Sequence, residues 1–278
     1  MQLRSVLMEG TRVLRDAGVP GPERDARVLL AEAIGMPVAR LTLEPEWVVS
    51  EDQVKVFHGY LARRSAREPV SRILGRRSFW GRQFEVTPDV LDPRPETETL
   101  IAEALKGPVP ERLIDLGCGS GIIGVTLLAE WPDSRAVSTD VSRPCLEVTR
   151  RNAHHIGVAD RLTTMVSDWF DRVEDTFDLI VSNPPYITEA EMAHLDPDVA
   201  LHDPHLALTP GGDGLSPYRV LAAGTAKHLR PDGRLLVEIG WKQGPDVAAI
   251  FKAHGLTDVV ILPDLDGRDR VVLGRKPA

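Results

Sequence analysis

Near its middle the chain reads Arg112-Leu113-Ile114-Asp115-Leu116-Gly117-Cys118-Gly119-Ser120-Gly121-Ile122-Ile123-Gly124, an apolar run that passes into a glycine-rich turn and then into a second apolar run. This order predicts a buried strand, a tight loop and a helix. Glycine allows positive φ angles and a close approach of the backbone to a ligand, and the first turn of the helix offers unpaired N–H groups. We therefore expect a nucleotide-type binding loop in an α/β domain.

The glycine spacing narrows the choice of ligand. Glycines stand at positions 117, 119 and 121, whereas the dinucleotide fingerprint is G-x-G-x-x-G. The difference disfavours a nicotinamide or flavin dinucleotide and suits a ligand that has no pyrophosphate, such as S-adenosylmethionine. The predicted cofactor contacts in the loop are Gly117, Cys118, Gly119, Ser120 and Gly121.

Acidic residues follow the next two predicted strands. Asp140 ends the apolar stretch at residues 136–139, where a carboxylate can accept hydrogen bonds from ribose hydroxyls. Asp168 and Trp169 follow a candidate strand at residues 162–166, where the carboxylate can accept the adenine amine and the indole can stack on the adenine ring. Taken singly, these side chains are equally compatible with turn residues or a core aromatic.

The motif Asn183-Pro184-Pro185-Tyr186 directly follows the apolar run at residues 177–182. The Asn183 carboxamide oxygen and the Pro184 carbonyl can each accept one N–H of a planar amide or base amine, which orients a weakly nucleophilic nitrogen toward a methyl donor. Tyr186 would stack against that planar group. All four residues are predicted substrate contacts, with Asn183, Pro184 and Tyr186 as the catalytic set, and Asn183 is expected to border the cofactor. The simpler alternative is a proline-rich turn.

With these motifs the chain resembles the class I S-adenosylmethionine-dependent methyltransferases, and among them the HemK/PrmC-like peptide chain release factor glutamine methyltransferases. The resemblance also covers Leu91-Asp92-Pro93-Arg94-Pro95-Glu96-Thr97-Glu98 and the arginine-rich stretch at residues 75–81. It implies methylation of the glutamine side-chain amide (N5) in the Gly-Gly-Gln loop of bacterial class 1 release factors, with S-adenosylhomocysteine as product. Asp92 stands where the family pattern has an apolar residue, and Asp203-Pro204 replaces a frequent Glu-Pro.

The distribution of patterns predicts three parts. Helical spacing of apolar residues over 1–68 predicts a small helical substrate-recognition domain, in which Pro22 and Gly35 limit the second helix and Ser50 and Gln53 form a capping box for the third. Residues 69–90 are predicted to form a β-hairpin linker, with a strand pair from Val70 to Val86.

Residues 91–278 are predicted to form the methyltransferase domain, where strands alternate with helices in a Rossmann-like α/β fold. Apolar runs at 235–239, 259–262 and 271–273 predict a terminal antiparallel hairpin on a mostly parallel sheet. The long polar segment from Ile187 to Ser216 is expected to be a lid or binding element.

Composition agrees with a globular protein. Charged residues make up 27% of the chain and the net charge is −8. No apolar run reaches the length of a membrane span and the N-terminus lacks a signal-peptide core, so a cytoplasmic protein is expected. Two cysteines, Cys118 and Cys145, are too few for a disulfide scaffold. His194, His202 and His205 lack a convincing ligand pattern, and methyl transfer from a sulfonium needs no Lewis acid, so no metal is expected.

Charge and motif together leave several partners open. The stretch from position 63 to 82 contains seven arginines and a single acidic residue, Glu68. This composition is compatible with binding of an acidic partner, with binding of a nucleic acid, or simply with an arginine-rich surface exposed to solvent. The expected partner is a class 1 release factor bound by a monomer, without stable nucleic acid. The alternatives are a ribosomal-protein glutamine methyltransferase, an adenine or guanine amino methyltransferase, and a non-catalytic binder of release factors.

Overall fold

The computed structural model describes residues 1–278 and divides into two compact units, residues 1–75 with 196–202 and residues 76–195 with 203–278. The helices are α1 Leu3–Asp16, α2 Pro22–Ile34, α3 Glu51–Ser65, α4 Val70–Leu74, α5 Glu98–Lys106, α6 Ile122–Glu130, α7 Arg143–Ile156, α8 Glu189–Met192, α9 Pro197–Ala200, α10 His205–Leu208, α11 Ser216–His228 and α12 Gly244–Ala253. The strands are β1 Arg76–Phe79, β2 Arg82–Glu85, β3 Arg112–Leu116, β4 Arg135–Asp140, β5 Leu162–Val166, β6 Phe177–Ser182, β7 Leu229–Glu238, β8 Thr257–Pro263 and β9 Asp269–Arg275. None of the helices combines the length and the apolar character needed to cross a membrane.

The first unit is helical, and its helix ends follow local sequence signals. Ser50 and Gln53 form the expected capping box at the start of α3, where the Ser50 side chain accepts the Gln53 N–H and the Gln53 side chain accepts the Ser50 N–H. Gly35 ends α2 in the left-handed region at φ 67°. Leu14, Leu29, Leu30 and Phe57 are fully buried in the core of this unit.

Residues 196–202, which come from the long segment after Tyr186, belong to the helical unit. Asp198, in α9, accepts hydrogen bonds from Arg64 at 2.8 Å and from Arg67 at 2.5 Å. Arg64 is buried and also donates to the buried carboxylate of Asp25 at 2.8 Å. Arg67 bonds Asp196 as well, at 2.6 Å. The segment is therefore held on the helical unit by charge-assisted hydrogen bonds.

The predicted strand pair from Val70 to Val86 is wrong in its first part. Residues Val70–Leu74 form the short helix α4, which Gly75 ends in the left-handed region at φ 68°. The hairpin itself is confined to β1 and β2. The short helix is favoured because it buries Ile73 in the helical core, and tertiary burial outweighs the strand preference of β-branched residues.

The arginine-rich stretch is largely paired within the chain. Five of its seven arginines make ion pairs with acidic side chains: Arg63 with Glu68, Arg64 and Arg67 with Asp198, Arg77 with Asp92, and Arg82 with Glu130. These guanidinium groups neutralise carboxylates of the same molecule. The basic composition of this stretch is therefore weaker evidence for a nucleic acid or an acidic partner than its sequence indicated.

The second unit contains a seven-stranded sheet of order β5-β4-β3-β6-β7-β9-β8. The first five strands in this order are parallel, and β9 runs antiparallel to both β7 and β8. The predicted α/β class, with a mostly parallel sheet and a terminal antiparallel hairpin, is confirmed. Strand alternation divides the core between the two faces: Leu113 lies in the core that includes α5 and α6, and Ile114 lies in the core that includes α11 and α12.

Candidate functional site

A cavity of about 400 Å³ lies at the carboxyl ends of four adjacent parallel strands in the second unit. Its wall includes the loop after β3, Asp140 at the end of β4, Asp168 and Trp169 after β5, and Asn183 after β6. The carboxyl edge of a parallel sheet, where neighbouring connections leave on opposite sides, is the usual ligand site in α/β folds. The four separate sequence motifs therefore meet in one place.

The glycine-rich loop is held by main-chain hydrogen bonds. The N–H groups of Gly117 and Cys118 both donate to the carbonyl of Thr139, at 2.9 and 3.0 Å. Gly117 and Gly119 have φ values of 69° and 55°, in the left-handed region that favours glycine. A Cβ on Gly119 would meet nothing within 4 Å, which leaves room for a ligand next to the backbone.

Asp115 and Gly121 determine the shape of the loop where it passes into α6. Asp115 accepts the N–H of Gly124 at 2.9 Å, and burial raises the pKa of its carboxyl to about 7. Gly121 has φ 80°, precedes α6, and would place a Cβ only 2.8 Å from the Thr149 side chain. Gly121 therefore shapes the turn, and unlike Gly117, Cys118, Gly119 and Ser120 it does not line the cavity.

Asp140 connects β4 to the glycine-rich loop. Its two carboxylate oxygens accept the N–H of Gly119 at 3.0 Å and the N–H of Ser142 at 2.8 Å. Burial raises the pKa of this carboxyl, and the backbone N–H bonds partly oppose the increase. Each carboxylate oxygen has a second lone pair, so the two main-chain bonds leave acceptor capacity at the cavity wall.

Trp169 stands directly against the loop. Its backbone is in the left-handed region at φ 42°, a conformation that a bulky residue adopts at a cost. A Cβ on Gly117 would be 3.7 Å from the indole ring. The exposed Asp168 lies beside it in the cavity wall. This pair can present a ring face and a carboxylate to one ligand.

The Asn183-to-Tyr186 motif divides between the cavity and the protein interior. Asn183 and Pro185 line the cavity, whereas Pro184 is buried and does not line it. Tyr186 also lies outside the wall, and its hydroxyl donates to Glu238 at 3.4 Å. The Tyr186 carbonyl accepts from Gln243 at 3.0 Å. The structure thus places Tyr186 as a support of the motif, and its stacking on a substrate stays a prediction.

Part of the cavity wall was not assigned as a site from the sequence. Eight residues of two segments far along the chain contribute: Pro204, Leu206, Ala207, Thr209, Pro210, Ser216, Pro217 and Val220. The sequence predicts a lid or binding element between Ile187 and Ser216, but it does not indicate which residues of that segment line the cavity. That segment contains the three single-turn helices α8, α9 and α10, of which α10 is in the wall.

The segment before α5 is a second contributor. Arg94 and Thr97 line the cavity, and Arg94 donates to Asp203 at 2.5 Å. The same Asp203 carboxylate accepts the N–H of Asp92 at 3.1 Å. The unexpected Asp92 is itself buried and accepts from Arg77 at 3.3 Å. Both departures from the family pattern therefore belong to one ion-pair network, which joins two walls of the cavity.

The two cysteines lie in surroundings that favour a structural role. Cys118 and Cys145 are free, buried thiols in the cavity wall, and burial raises the pKa of each. A raised thiol pKa disfavours the nucleophilic thiolate. No group of three or more His, Cys, Asp or Glu side chains is arranged to hold a metal ion.

Comparisons with known proteins agree with this arrangement. Residues 5–75 match the family model of the PrmC N-terminal domain, and residues 95–213 match that of the methyltransferase small domain. In fold, the chain is similar to the hMettl16 catalytic domain, with a TM-score of 0.58 at 17% identity over 78% of this chain and 81% of that one. It is also similar to a methyltransferase from Pyrococcus furiosus, with a TM-score of 0.54 at 16% identity over 72% and 92% of the two chains.

Relatives at much higher identity are named release factor glutamine methyltransferases. The protein of Cereibacter sphaeroides is 51% identical over 278 residues, which cover 100% of both chains. The protein of Caulobacter vibrioides is 42% identical over 95% of this chain and 92% of its own. Because the similarity extends along the whole length of both chains at 51% identity, the chain belongs to the family of release factor glutamine methyltransferases.

Proposed function

We propose that this protein transfers a methyl group from S-adenosylmethionine to the side-chain amide nitrogen of the glutamine in the Gly-Gly-Gln loop of a bacterial class 1 release factor. The observation that carries the proposal is the position of Asn183, whose carboxamide shares one cavity with the glycine-rich loop at Gly117–Ser120. Full-length similarity to release factor glutamine methyltransferases supports the choice of substrate.

The cofactor half of the cavity fits an adenosyl group with an attached amino-acid chain. Gly119 leaves space beside the backbone, Asp140 has lone pairs for the ribose hydroxyls, and Asp168 with Trp169 suits the adenine. When bound, S-adenosylmethionine supplies an electrophilic methyl group on its sulfonium and leaves as S-adenosylhomocysteine. The cavity volume, about 400 Å³, is within the range of small-molecule sites.

We expect two acceptors for an amide N–H₂: the carboxamide of Asn183, which lines the cavity, and the carbonyl of Pro184, a buried residue next to it in the chain. The Asn183 carboxamide oxygen and the Pro184 carbonyl would each accept one N–H, so that the nitrogen lone pair is directed at the methyl group. Both residues precede a proline, which holds the backbone extended and adds no competing donor. The positive charge that develops on nitrogen is stabilised by these acceptors. The nitrogen then loses one proton to solvent water, and because the methylated amide is strongly acidic at this stage, the reaction requires no strong base in the site.

The proposal extends to the setting of the reaction. The enzyme would act on a protein substrate as a monomer in the cytoplasm, where translation ends, and without a stable nucleic-acid partner or a metal. The wall residues that come from this segment, Pro204, Leu206, Ala207, Thr209 and Pro210, are apolar apart from Thr209. They fit a glycine-rich peptide loop better than a phosphate backbone, which is held by Lys and Arg.

The test is methyl transfer from labelled S-adenosylmethionine to four acceptors measured side by side: a purified class 1 release factor, the same factor with the loop glutamine changed to alanine, ribosomal proteins, and bulk ribosomal RNA with DNA. We expect label on the unaltered factor alone, and none when the enzyme carries Asn183→Ala. Label on ribosomal protein or on nucleic acid, with none on the factor, would replace this proposal with the corresponding alternative. Equal labelling by Asn183→Ala would contradict the catalytic role of the motif.

A further inference from the structure

A buried chain of hydrogen bonds starts at the Asn183 carboxamide. Its Nδ2 donates to the Thr97 hydroxyl at 3.3 Å, and that hydroxyl donates to Glu238 Oε2 at 2.6 Å. The other carboxylate oxygen of Glu238 accepts from the Tyr186 hydroxyl at 3.4 Å. Thr97 and Glu238 are both 0% exposed. Asn183 and Thr97 line the cavity, whereas Glu238, the last residue of β7, does not.

The number of hydrogens that Thr97 and Glu238 can donate decides the direction of these hydrogen bonds. An ionised carboxylate only accepts, so the single hydroxyl hydrogen of Thr97 is used by Glu238. The Thr97 oxygen can then only accept from Asn183, which requires the NH₂ end of the carboxamide to point inward. The two ends of an asparagine amide have almost the same shape, so without this constraint either end could face the cavity.

We propose that Thr97 and Glu238 are positioning residues that hold the Asn183 carboxamide with its oxygen toward the substrate. The proposal rests on the proposed function, in which that oxygen accepts an N–H of the substrate amide. A reversed carboxamide would present its own N–H₂ to the substrate N–H₂. Because both groups are donors, no hydrogen bond would form between them, and the lone pair of the substrate nitrogen would no longer be oriented. Neither positioning residue needs to touch the reacting atoms.

The ionisation of Glu238 controls this orientation. Burial raises the pKa of its carboxyl to about 7, while the Thr97 hydroxyl bond, the charge of Arg270 and the Tyr186 hydroxyl lower it and Glu96 raises it. The Tyr218 hydroxyl bonds the main-chain carbonyl of Glu238, at 3.0 Å. A protonated Glu238 can itself donate to Thr97, which frees the Thr97 hydrogen for the Asn183 oxygen and permits the reversed carboxamide. Turnover should therefore rise with pH as Glu238 ionises.

The first experiment compares Thr97→Val with Thr97→Ser. Valine keeps the shape and removes the hydroxyl, and serine keeps the hydroxyl. We expect Thr97→Val to lower kcat on the order of 100-fold, with the Kd for S-adenosylhomocysteine and the KM for the acceptor changed by less than about threefold, and Thr97→Ser to restore most of kcat. The matched control is Thr126→Val, since Thr126 is a buried threonine of α6 whose hydroxyl has no hydrogen-bond partner.

Several results would overturn the proposal. These are a kcat of Thr97→Val within threefold of the wild type, a loss that Thr97→Ser shares in full, and a loss that appears in cofactor binding. Rates are taken on whichever acceptor the wild-type enzyme labels, so a wrong substrate assignment shows in the wild type and does not conceal the result for Thr97.

Glu238→Gln provides a second variant if Thr97→Val does not fold. Glutamine has the shape of the carboxylate but carries an N–H₂, so the Thr97 hydroxyl is no longer required to donate to it. We expect a kcat that is at least tenfold lower and that no longer rises between pH 6 and 8, whereas the wild-type kcat rises across this range. A wild-type pH profile retained in Glu238→Gln would show that Glu238 does not set the orientation.

Discussion

At the scale of single residues, function depends on a few polar atoms whose orientation is determined by neighbours. In the proposed function, Asn183 acts only if its oxygen faces the cavity, and Asp140 only if its carboxylate both supports the loop and keeps lone pairs free. Both residues lie directly at the carboxyl ends of strands, where the rigid sheet limits their movement. Substitutions at these positions should therefore separate catalysis from binding.

Asn183→Ala removes the proposed acceptor for the substrate N–H. We expect kcat to fall by two to three orders of magnitude, as when one donor or acceptor of a preorganised site is removed, because the lost bond acts mainly in the transition state. The Kd for S-adenosylhomocysteine, measured by calorimetry, should change by less than about fivefold. A loss of cofactor affinity as large as the loss of kcat would assign Asn183 to binding instead.

Asp140→Asn keeps the side-chain shape but replaces one carboxylate oxygen by an N–H₂ group, which is a donor. The asparagine side chain therefore cannot accept the N–H of Gly119 on one end and the N–H of Ser142 on the other, as Asp140 does. We expect the Kd for S-adenosylhomocysteine to rise 10- to 100-fold, equivalent to about 1.4 to 3 kcal/mol, while kcat at saturating cofactor changes little. Asp266→Asn, in the exposed turn between β8 and β9, is the control. Unchanged cofactor affinity in Asp140→Asn would contradict this role.

At the scale of elements, α1 and α3 of the helical unit are in close contact at a glycine. Gly10 in α1 faces Phe57 in α3, and a Cβ at position 10 would lie 2.4 Å from the Phe57 ring. Gly59, two residues further along α3, is exposed and would place a Cβ in open space. These two glycines have opposite surroundings within the same helical unit.

Gly10→Ala and Gly59→Ala should therefore change stability in opposite directions. Each adds a good helix former, worth about 1 kcal/mol in an unstrained helix, but at position 10 the clash with Phe57 costs about 1 to 3 kcal/mol and leaves the variant less stable. Urea unfolding followed by circular dichroism measures both. Stabilisation by Gly10→Ala equal to that by Gly59→Ala would mean that α1 and α3 are not packed at this distance.

At the scale of the whole molecule, two buried carboxyls make stability depend on pH. Burial raises the pKa of Asp115 and that of Glu238 to about 7, from ordinary values of 3.8 and 4.5. The folded state therefore holds these protons at pH values where the unfolded chain has released them. The contribution of each group to the free energy of unfolding is largest below pH 4, decreases as pH rises and is lost above pH 7.

We accordingly expect the free energy of unfolding to decrease between pH 5 and pH 7.5, by up to about 3 kcal/mol for each carboxyl. Urea unfolding at several pH values measures the decrease, and Glu238→Gln and Asp115→Asn should each reduce it because an amide does not titrate. The same pH change raises the proposed turnover, so activity and stability respond in opposite directions. An identical decrease in wild type and both variants would assign it to other groups.

Much of this architecture could be predicted from local sequence. The strands at residues 162–166 and 177–182, the capping box of α3 and the terminal hairpin follow from hydrophobic spacing and turn chemistry, which act over a few residues. The sequence failed at Val70–Leu74, where burial of Ile73 in the helical core outweighs a β-branched composition. It also assigned residues 196–202 to a loop of the catalytic domain, although Asp198 binds Arg64 of the helical unit, 134 positions away.

The sequence by itself determined the fold class and the motifs that line the cavity, because each of these is carried by short stretches with their own physical signals, and its resemblance to known proteins indicated the family. Only the tertiary structure decided which of those residues face the cavity, that residues 204–210 complete its wall, and that Thr97 lies between Asn183 and Glu238, 86 and 141 positions away along the chain. Contacts at such separations have no local signature. They arise from the order of the strands in the sheet, which brings the ends of β6 and β7 together.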